Sequence, residues 1–345
     1  MAVFDDSALA GGSGNIEVVR PVGRRRITHA IHDVDGTHSL IRQWQPVMSL
    51  TIHWAMTCGL GDDFDSPANL TALTDRLGPE EGASQRGKTR ADALLEETDR
   101  FCVESAGLSA LTQMEFGIRR AVELGNVPAG AALALTADQG RDNCEIIRRI
   151  WNGQERFDDV EEPPELLDFI NERTPRLFRL YEAILNGACR DRNTADARRR
   201  PEKWRVPGSM EFLEHLRGIG CVNHFVTGAV IYEDGGMLEE ILALGFEVGP
   251  GRTVESVLGS SWDRKLPKEE LMRDLCAAGG IDASCVLVLG DGRSEIKAAA
   301  DMGCVAISRL PAEAARQREL HVSLGTNYIL PDYTHPILTE LIRRE

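Results

Sequence analysis

The sequence predicts an α/β protein whose parallel sheet is interrupted, after its first strand, by a large block of helices. Three observations carry this. A short β-favouring run, Ile27 to His32, leads straight into Asp33. Residues 46–204 then place apolar residues at three- and four-residue intervals, with little that reads as strand. From residue 205 onward short apolar strands alternate with helices, the pattern of a mostly parallel sheet covered on both faces. One α/β domain owns both pieces when the helical block is an insertion. The expected organisation is an N-terminal extension over 1–26, partly mobile, a discontinuous α/β core over 27–45 and 205–345, and an all-α domain over 46–204.

Residues 1–15 are short, polar and rich in Gly and Ser, and lack the apolar run of a signal peptide. They read as a mobile tail. Gln43 to Gly61 carries no charged residue, yet Gln43, Gln45, His53 and several Ser and Thr break it. A membrane span needs about 20 predominantly apolar residues, so this stretch reads as a buried helix with Pro46 near its first turn. Helical spacing continues through "ADALLEETDRFCVES", "SALTQMEFGIRRAVELG" and "PPELLDFINERTPRLFRLYEAILNGA". The arginine-rich "CRDRNTADARRRPEKWR" reads as a solvated hinge. "VPGSMEFLEHLRGIG" is a helix with Phe212, Leu213, Leu216 and Ile219 on one face. Strands follow at "CVNHFVTG", "CVLVLGDG", "CVAISRL" and "NYILPD".

Composition narrows the function. The 345 residues are 42% hydrophobic and 27% charged, ordinary for a globular protein, and the formal charge of −15 opposes a nucleic-acid or anionic-membrane partner. Eight cysteines form no CxxC pair and no metal-ligand spacing, the usage of reduced thiols in a cytoplasmic protein. Only five of the 39 basic residues are lysines (88, 203, 265, 268 and 297), so a lysine where chemistry wants an ammonium group is informative.

Loops at the C-terminal ends of parallel strands gather along one edge, where ligands bind. Four such places hold reactive residue types: Asp33-Val34-Asp35-Gly36-Thr37, Thr227-Gly228, Lys268 at a helix start, and Asp291-Gly292 with Glu295 four further on. Singly each is commonplace, since Asp-Gly is a frequent turn and Thr-Gly often ends a strand. Their joint order is far from chance. It resembles the haloacid dehalogenase (HAD) superfamily, in its magnesium-dependent phosphatase branch, over residues 27–45 and about 205–345.

The resemblance implies a Rossmann-like core with a helical cap inserted between the first and second motifs. It implies Asp33 as the nucleophile and Asp35 as general acid and base. Thr227 and Gly228 would bind the phosphoryl group, and Lys268 would neutralise charge. Magnesium would be held by Asp33, the Asp35 main-chain carbonyl and Asp291, with Glu295 acting through a bound water. Lys265 rivals Lys268 for the lysine role; Lys268 is preferred because it opens an amphipathic helix with Leu271, Met272 and Leu275 on its core face. An aspartate at position 35 separates this chain from dehalogenase and phosphonoacetaldehyde-hydrolase relatives, which need no acid for an alkoxide.

The implied substrate is a small phosphate ester, sugar-phosphate-like. A phosphotransferase or sugar-phosphate mutase uses the same catalytic residues, and a catalytically silent binding module is the reading from another class. Arg86, Lys88 and Arg90 are candidate anchors for an anion, although a solvated charged turn explains them too. His38, Arg42, Trp44 and Gln45 follow the first motif closely enough to line a cavity. A homodimer is left open.

Overall fold

The computed structural model describes residues 1–12, 14–41, 44–77, 90–129, 133, 135–232, 235–262 and 264–345, the side chains of 90–93 excepted. The chain divides into two compact units, Met1–Arg42 with Arg192–Glu345, and Gln43–Asp191.

The second unit is helical: α1 (Trp44–Thr57), α2 (Pro67–Leu77), α3 (Arg90–Glu104), α4 (Ala110–Glu123), α5 (Ala137–Trp151) and α6 (Pro164–Leu185). The uncharged stretch is α1, buried from Val47 to Ile52 and beyond because α3, α4 and α6 all pack on it. Phe101 of α3 stacks on Phe116 of α4 at 3.7 Å between centroids, with Trp151 edge-on to both. Arg119 is buried beside them. It is satisfied by Glu115 at 2.8 Å, Glu162 at 2.5 Å and Asn143 at 3.2 Å, the pairing that a buried guanidinium requires. No helix among the described residues is long and apolar enough to cross a membrane.

The first unit is α/β. Its strands are β1 (Ala2–Asp5), β2 (Glu17–Val18), β3 (Arg24–Ile27), β4 (His29–His32), β5 (Val222–Val230), β6 (Ser256–Ser260), β7 (Val286–Gly290), β8 (Val305–Arg309), β9 (Tyr328–Leu330) and β10 (Ile342–Arg344). The main sheet runs β2-β9-β8-β7-β4-β5-β6 and is parallel except for β2. Strand β4 lies at its centre, between β5 and β7. A smaller antiparallel sheet has the order β10-β1-β3.

Among the described residues the later α-helices are α7 (Asp191–Ala197), which begins on the last residue of the helical unit, α8 (Pro201–Trp204), α9 (Ser209–Gly218), α10 (Gly236–Ala243), α11 (Lys268–Gly279), α12 (Arg293–Met302), α13 (Ala315–Leu324) and α14 (Ile337–Leu341). Strand alternation sorts the core. Ala30, Leu287, Leu289, Val305 and Ile307 face Phe212 and Leu216 of α9 and Leu338 of α14. Ile31, Val286, Val288 and Ala306 face Leu271 and Met272 of α11 and Ala298 of α12. Both faces of the sheet are therefore dry.

Several local expectations are corrected. The N-terminal residues read as a mobile tail form β1, with Phe4 fully buried. The apolar run Ala2-Val3-Phe4 is too short to stand out beside the Gly and Ser that follow, but it pairs with strands from both ends of the unit. Of the run 189–205 read as a solvated hinge, residues 192–205 belong to the α/β unit and not to the helical domain expected over 46–204; Ala197 and Trp204 pack with Val34, Ile41 and Phe225. Strand β5 does not stop at Gly228 but runs on to Val230 through a register irregularity after Val226. Strand β6 was not expected, since "ESVLGS" is short and half-buried.

Candidate active site

Strand register builds the site. His32 pairs with Leu289, and the Asp33 amide donates to Leu289 O at 2.9 Å, so Asp33 lies beside the Gly290-Asp291 end of β7. Alternation places Asp33 on the same face as Ile31, the face covered by α11 and α12. Those helices supply the two side chains that meet it. Lys268, first residue of α11, reaches Asp33 Oδ1 at 2.7 Å and Glu295 Oε2 at 3.0 Å. Asp33, Lys268 and Glu295 are all buried, at 6%, 2% and 2% exposure.

Glu295 is doubly engaged. Its Oε1 accepts from the Gly292 amide at 2.6 Å, closing the first turn of α12, while Oε2 accepts from Lys268. Asp291 completes a carboxylate group with Asp33 and Glu295, with ligand atoms all within 4.8 Å of one another. Thr37 donates to Asp291 Oδ1 at 3.4 Å. Gly36, at φ +74°, passes so close to Asp291 that a Cβ there would lie 1.9 Å from its Oδ2. Only glycine fits both the left-handed backbone and that approach.

The turn itself is tight. The amides of Thr37, His38 and Ser39 all donate to Val34 O, and the Gly36 amide donates to Ser39 O at 2.9 Å. Arg309 donates to Gly36 O at 2.9 Å and to Pro331 O at 2.9 Å, tying the turn to the end of β9. Apart from its place at the end of "CVAISR", nothing in the sequence signals Arg309 or its role.

Three carboxylates share one ammonium in a buried place. Burial, with Glu295 and Asp291, pushes the Asp33 carboxyl well above its ordinary range against the pull of Lys268. Burial and Glu295 push Asp291 up to about 7. Burial opposes charge on Glu295 as well, but Lys268 and two backbone amides outweigh it and hold this carboxylate low. Lys268 stays charged, because Asp33 and Glu295 outweigh its own desolvation. An all-oxygen, anionic donor set of this kind suits a hard divalent cation such as magnesium.

Asp291 carries a pH expectation. Its folded-state value lies above its unfolded one, so its contribution favours folding below about pH 4 and is lost as pH rises through about 7. In chelator-treated protein, the melting temperature of Asp291→Asn should exceed that of the parent at pH 8, and the gap should shrink towards pH 5. A constant gap across that range would contradict the assignment.

The remaining candidates fall as follows. Asp35 is half-buried in the turn and bridges to Ser39. Thr227 is buried in β5, where its Oγ1 accepts from the Ala229 amide at 3.1 Å across the irregularity; Gly228 lies between them, half-buried. Lys265 sits in the loop before α11, half-buried. His38 does not line a cavity: it is fully buried within the α/β unit. Trp44 and Gln45 open α1 in the helical unit. Arg42, Arg86 and Lys88 lie outside the described residues, as does the side chain of Arg90.

No family model and no curated protein matches the sequence. Among solved structures, the chain is similar to a phosphonoacetaldehyde hydrolase-like protein from Oleispira antarctica, at 15% identity and a TM-score of 0.45, covering 91% of this chain and 92% of that one. It is also similar to a HAD family hydrolase from Deinococcus radiodurans, with bound phosphate and sodium, at 14% identity and a TM-score of 0.40, covering 92% and 97%. A hydrolase from Pseudomonas syringae is matched at 13% identity and a TM-score of 0.40, covering 89% and 94%. Likeness at this level carries no chemistry, which has to be read from the residues of the site.

Proposed function

We propose that the chain is a HAD-type phosphatase, a magnesium-dependent phosphomonoester hydrolase acting on a small phosphorylated metabolite, with the helical unit as its substrate-selecting insertion. The observation that carries this is the buried Asp33, held by Lys268 at 2.7 Å at the end of the central strand, with Asp291 and Glu295 beside it.

Asp33, Asp291 and the Asp35 main-chain carbonyl would hold the magnesium ion, with Glu295 supporting it from the same carboxylate group. When bound, the ion supplies the positive charge that offsets repulsion between the carboxylates and an incoming phosphate. An oxygen of Asp33 attacks phosphorus; the new O–P bond forms as the ester P–O bond breaks. Asp35 gives its proton to the departing alkoxide. It then takes a proton from water, whose oxygen attacks the same phosphorus and breaks the bond to Asp33, releasing inorganic phosphate. Lys268 balances the charge on Asp33 throughout, and Thr227 offers a hydroxyl to a phosphoryl oxygen. Burial alone favours a proton on Asp33 despite Lys268; a magnesium ion held there would favour its ionised form and leave Asp35 to carry the proton.

The test is hydrolysis of p-nitrophenyl phosphate, followed by a panel of phosphorylated metabolites. Turnover is expected with magnesium, to vanish with EDTA and to return when magnesium is restored. Absence of turnover on every ester, with magnesium supplied, would sink the reading.

A further inference from the structure

The face of β4 opposite the carboxylates holds a chain of buried polar groups that the proposed chemistry does not use. His32, the residue before Asp33, and His38, the residue after the turn, are both fully buried. Their rings are joined, His38 Nε2 to His32 Nδ1, at 3.0 Å. His32 Nε2 meets Asn223 Oδ1 at 3.2 Å, and His38 Nδ1 meets Ser209 Oγ at 3.1 Å.

The direction of every hydrogen bond in this chain is determined. The Asn223 amide NH2 donates to Leu213 O at 3.0 Å and to Thr253 O at 2.9 Å, so its oxygen must face His32. A carbonyl oxygen only accepts, which puts the His32 proton on Nε2. His32 Nδ1 is then an acceptor, so His38 also carries its proton on Nε2. His38 Nδ1 in turn accepts from the Ser209 hydroxyl. Burial holds both imidazoles far below their ordinary titration range, His32 at about 3.

Packing fixes the rings as firmly. His38 lies flat against Tyr333, with centroids 5.0 Å apart and planes 5° apart, and Tyr333 lies flat against Phe212 at 4.9 Å. Phe225 and Phe246 close the remaining sides of His38. Gly208 lets the Tyr333 backbone approach, since a Cβ there would lie 2.5 Å from the Tyr333 carbonyl carbon. His38 is also held through its main chain, where His38 O accepts from the Val206 amide at 3.0 Å.

We infer that His32 and His38 form a clamp across the base of the 33–37 turn, and that both are positioning residues that set the aim of Asp33 and Asp35. Five residues lie between the two rings, and all the candidate chemistry of the first motif lies in those five. The clamp ties the strand end to the first residue after the turn from the face away from substrate. Its far ends are anchored on β5 through Asn223 and on α9 through Ser209. The positioning role rests on the phosphatase reading; the clamp itself does not.

His38→Phe keeps the stacked ring and removes the hydrogen bonds. His38→Gln restores an amide N–H donor near the place of Nε2. In His38→Phe, kcat on p-nitrophenyl phosphate should fall about a hundredfold with KM little changed, the cost of misplacing reacting groups by about an ångström. Amide hydrogen exchange of peptides covering 33–39 should quicken about tenfold or more, while β5 and β8 keep parent rates. His38→Gln should recover most of both. Unchanged exchange over 33–39 in His38→Phe would overturn the clamp, whatever the kinetics. Equal kcat losses in the two variants would overturn the positioning role. Should His38→Phe fail to fold, Ser209→Ala is the milder break, and it must show the same local exchange signature. Imidazole 15N spectra of the parent must show Nε2–H tautomers for both rings; an Nδ1–H tautomer on either overturns the clamp. A parent protein without phosphatase activity would remove the phosphatase reading, while exchange and tautomers would still decide the clamp.

Discussion

Asp33→Asn should abolish turnover, lowering kcat by about ten-thousandfold or more while the protein remains folded. The exchange preserves shape and hydrogen-bonding capacity but replaces the carboxylate proposed as nucleophile with an amide, which cannot form an aspartyl-phosphate. Stability should not suffer. Burial and two neighbouring carboxylates already disfavour the Asp33 charge, and Lys268 keeps its second partner, Glu295, at 3.0 Å. The decisive measurement is single-turnover phosphate release beside a thermal melt. A folded variant with more than about a thousandth of parent activity would show that another group attacks phosphorus.

Lys268→Met should damage both activity and stability. Lys268 is the ammonium shared by Asp33 and Glu295, and its removal leaves carboxylates buried together without that charge. Removing one member of a buried ion pair costs about 3–5 kcal/mol. The sign of the pH dependence follows from the carboxylates. Without the ammonium the folded-state value of Asp33 rises further and Glu295 loses the main charge that holds it low, so the penalty grows as pH increases and shrinks as they take up protons. Urea unfolding in EDTA should therefore separate variant from parent more at pH 8 than at pH 5. Activity should fall at least about a thousandfold, because in the proposed mechanism the same charge balances Asp33 during attack. A variant as stable as the parent at pH 8 would mean that Lys268 is not the counter-ion of this site. Lys265→Met, by contrast, should leave both properties near parent values.

The parallel sheet was legible because strands and helices alternate after residue 205; the helical reading of 46–204 ran past Asp191, where the helical unit ends. The residues of the carboxylate site stood out because their types and order are improbable together. Other features depend on partners distant in the chain and leave no local signal. Phe4 belongs to a strand only because β3 and β10 are there to pair with it. Asn223 and His38 look like ordinary polar residues until the fold makes them neighbours of His32. Thr227 illustrates an intermediate case. Its Thr-Gly pair reads as a strand end, but the irregularity against β6 allows the strand to bend and continue.

The central place of β4 has a consequence for how the molecule comes to exist. This strand precedes both of its neighbours: His32 pairs with Phe225 on one side and Leu289 on the other. During synthesis the segment bearing Asp33 emerges before either strand that flanks it, β5 at Val222–Val230 and β7 at Val286–Gly290. Meanwhile the helices over 44–185 can satisfy their backbones locally. Contacts of such long sequence separation form slowly, so the carboxylate cluster is expected among the last places to be organised. Until then a bare apolar strand, Ala30-Ile31, is exposed to mispairing. Arg24-Arg25-Arg26 before it and Asp33 after it place charge on either side, an arrangement that opposes such pairing.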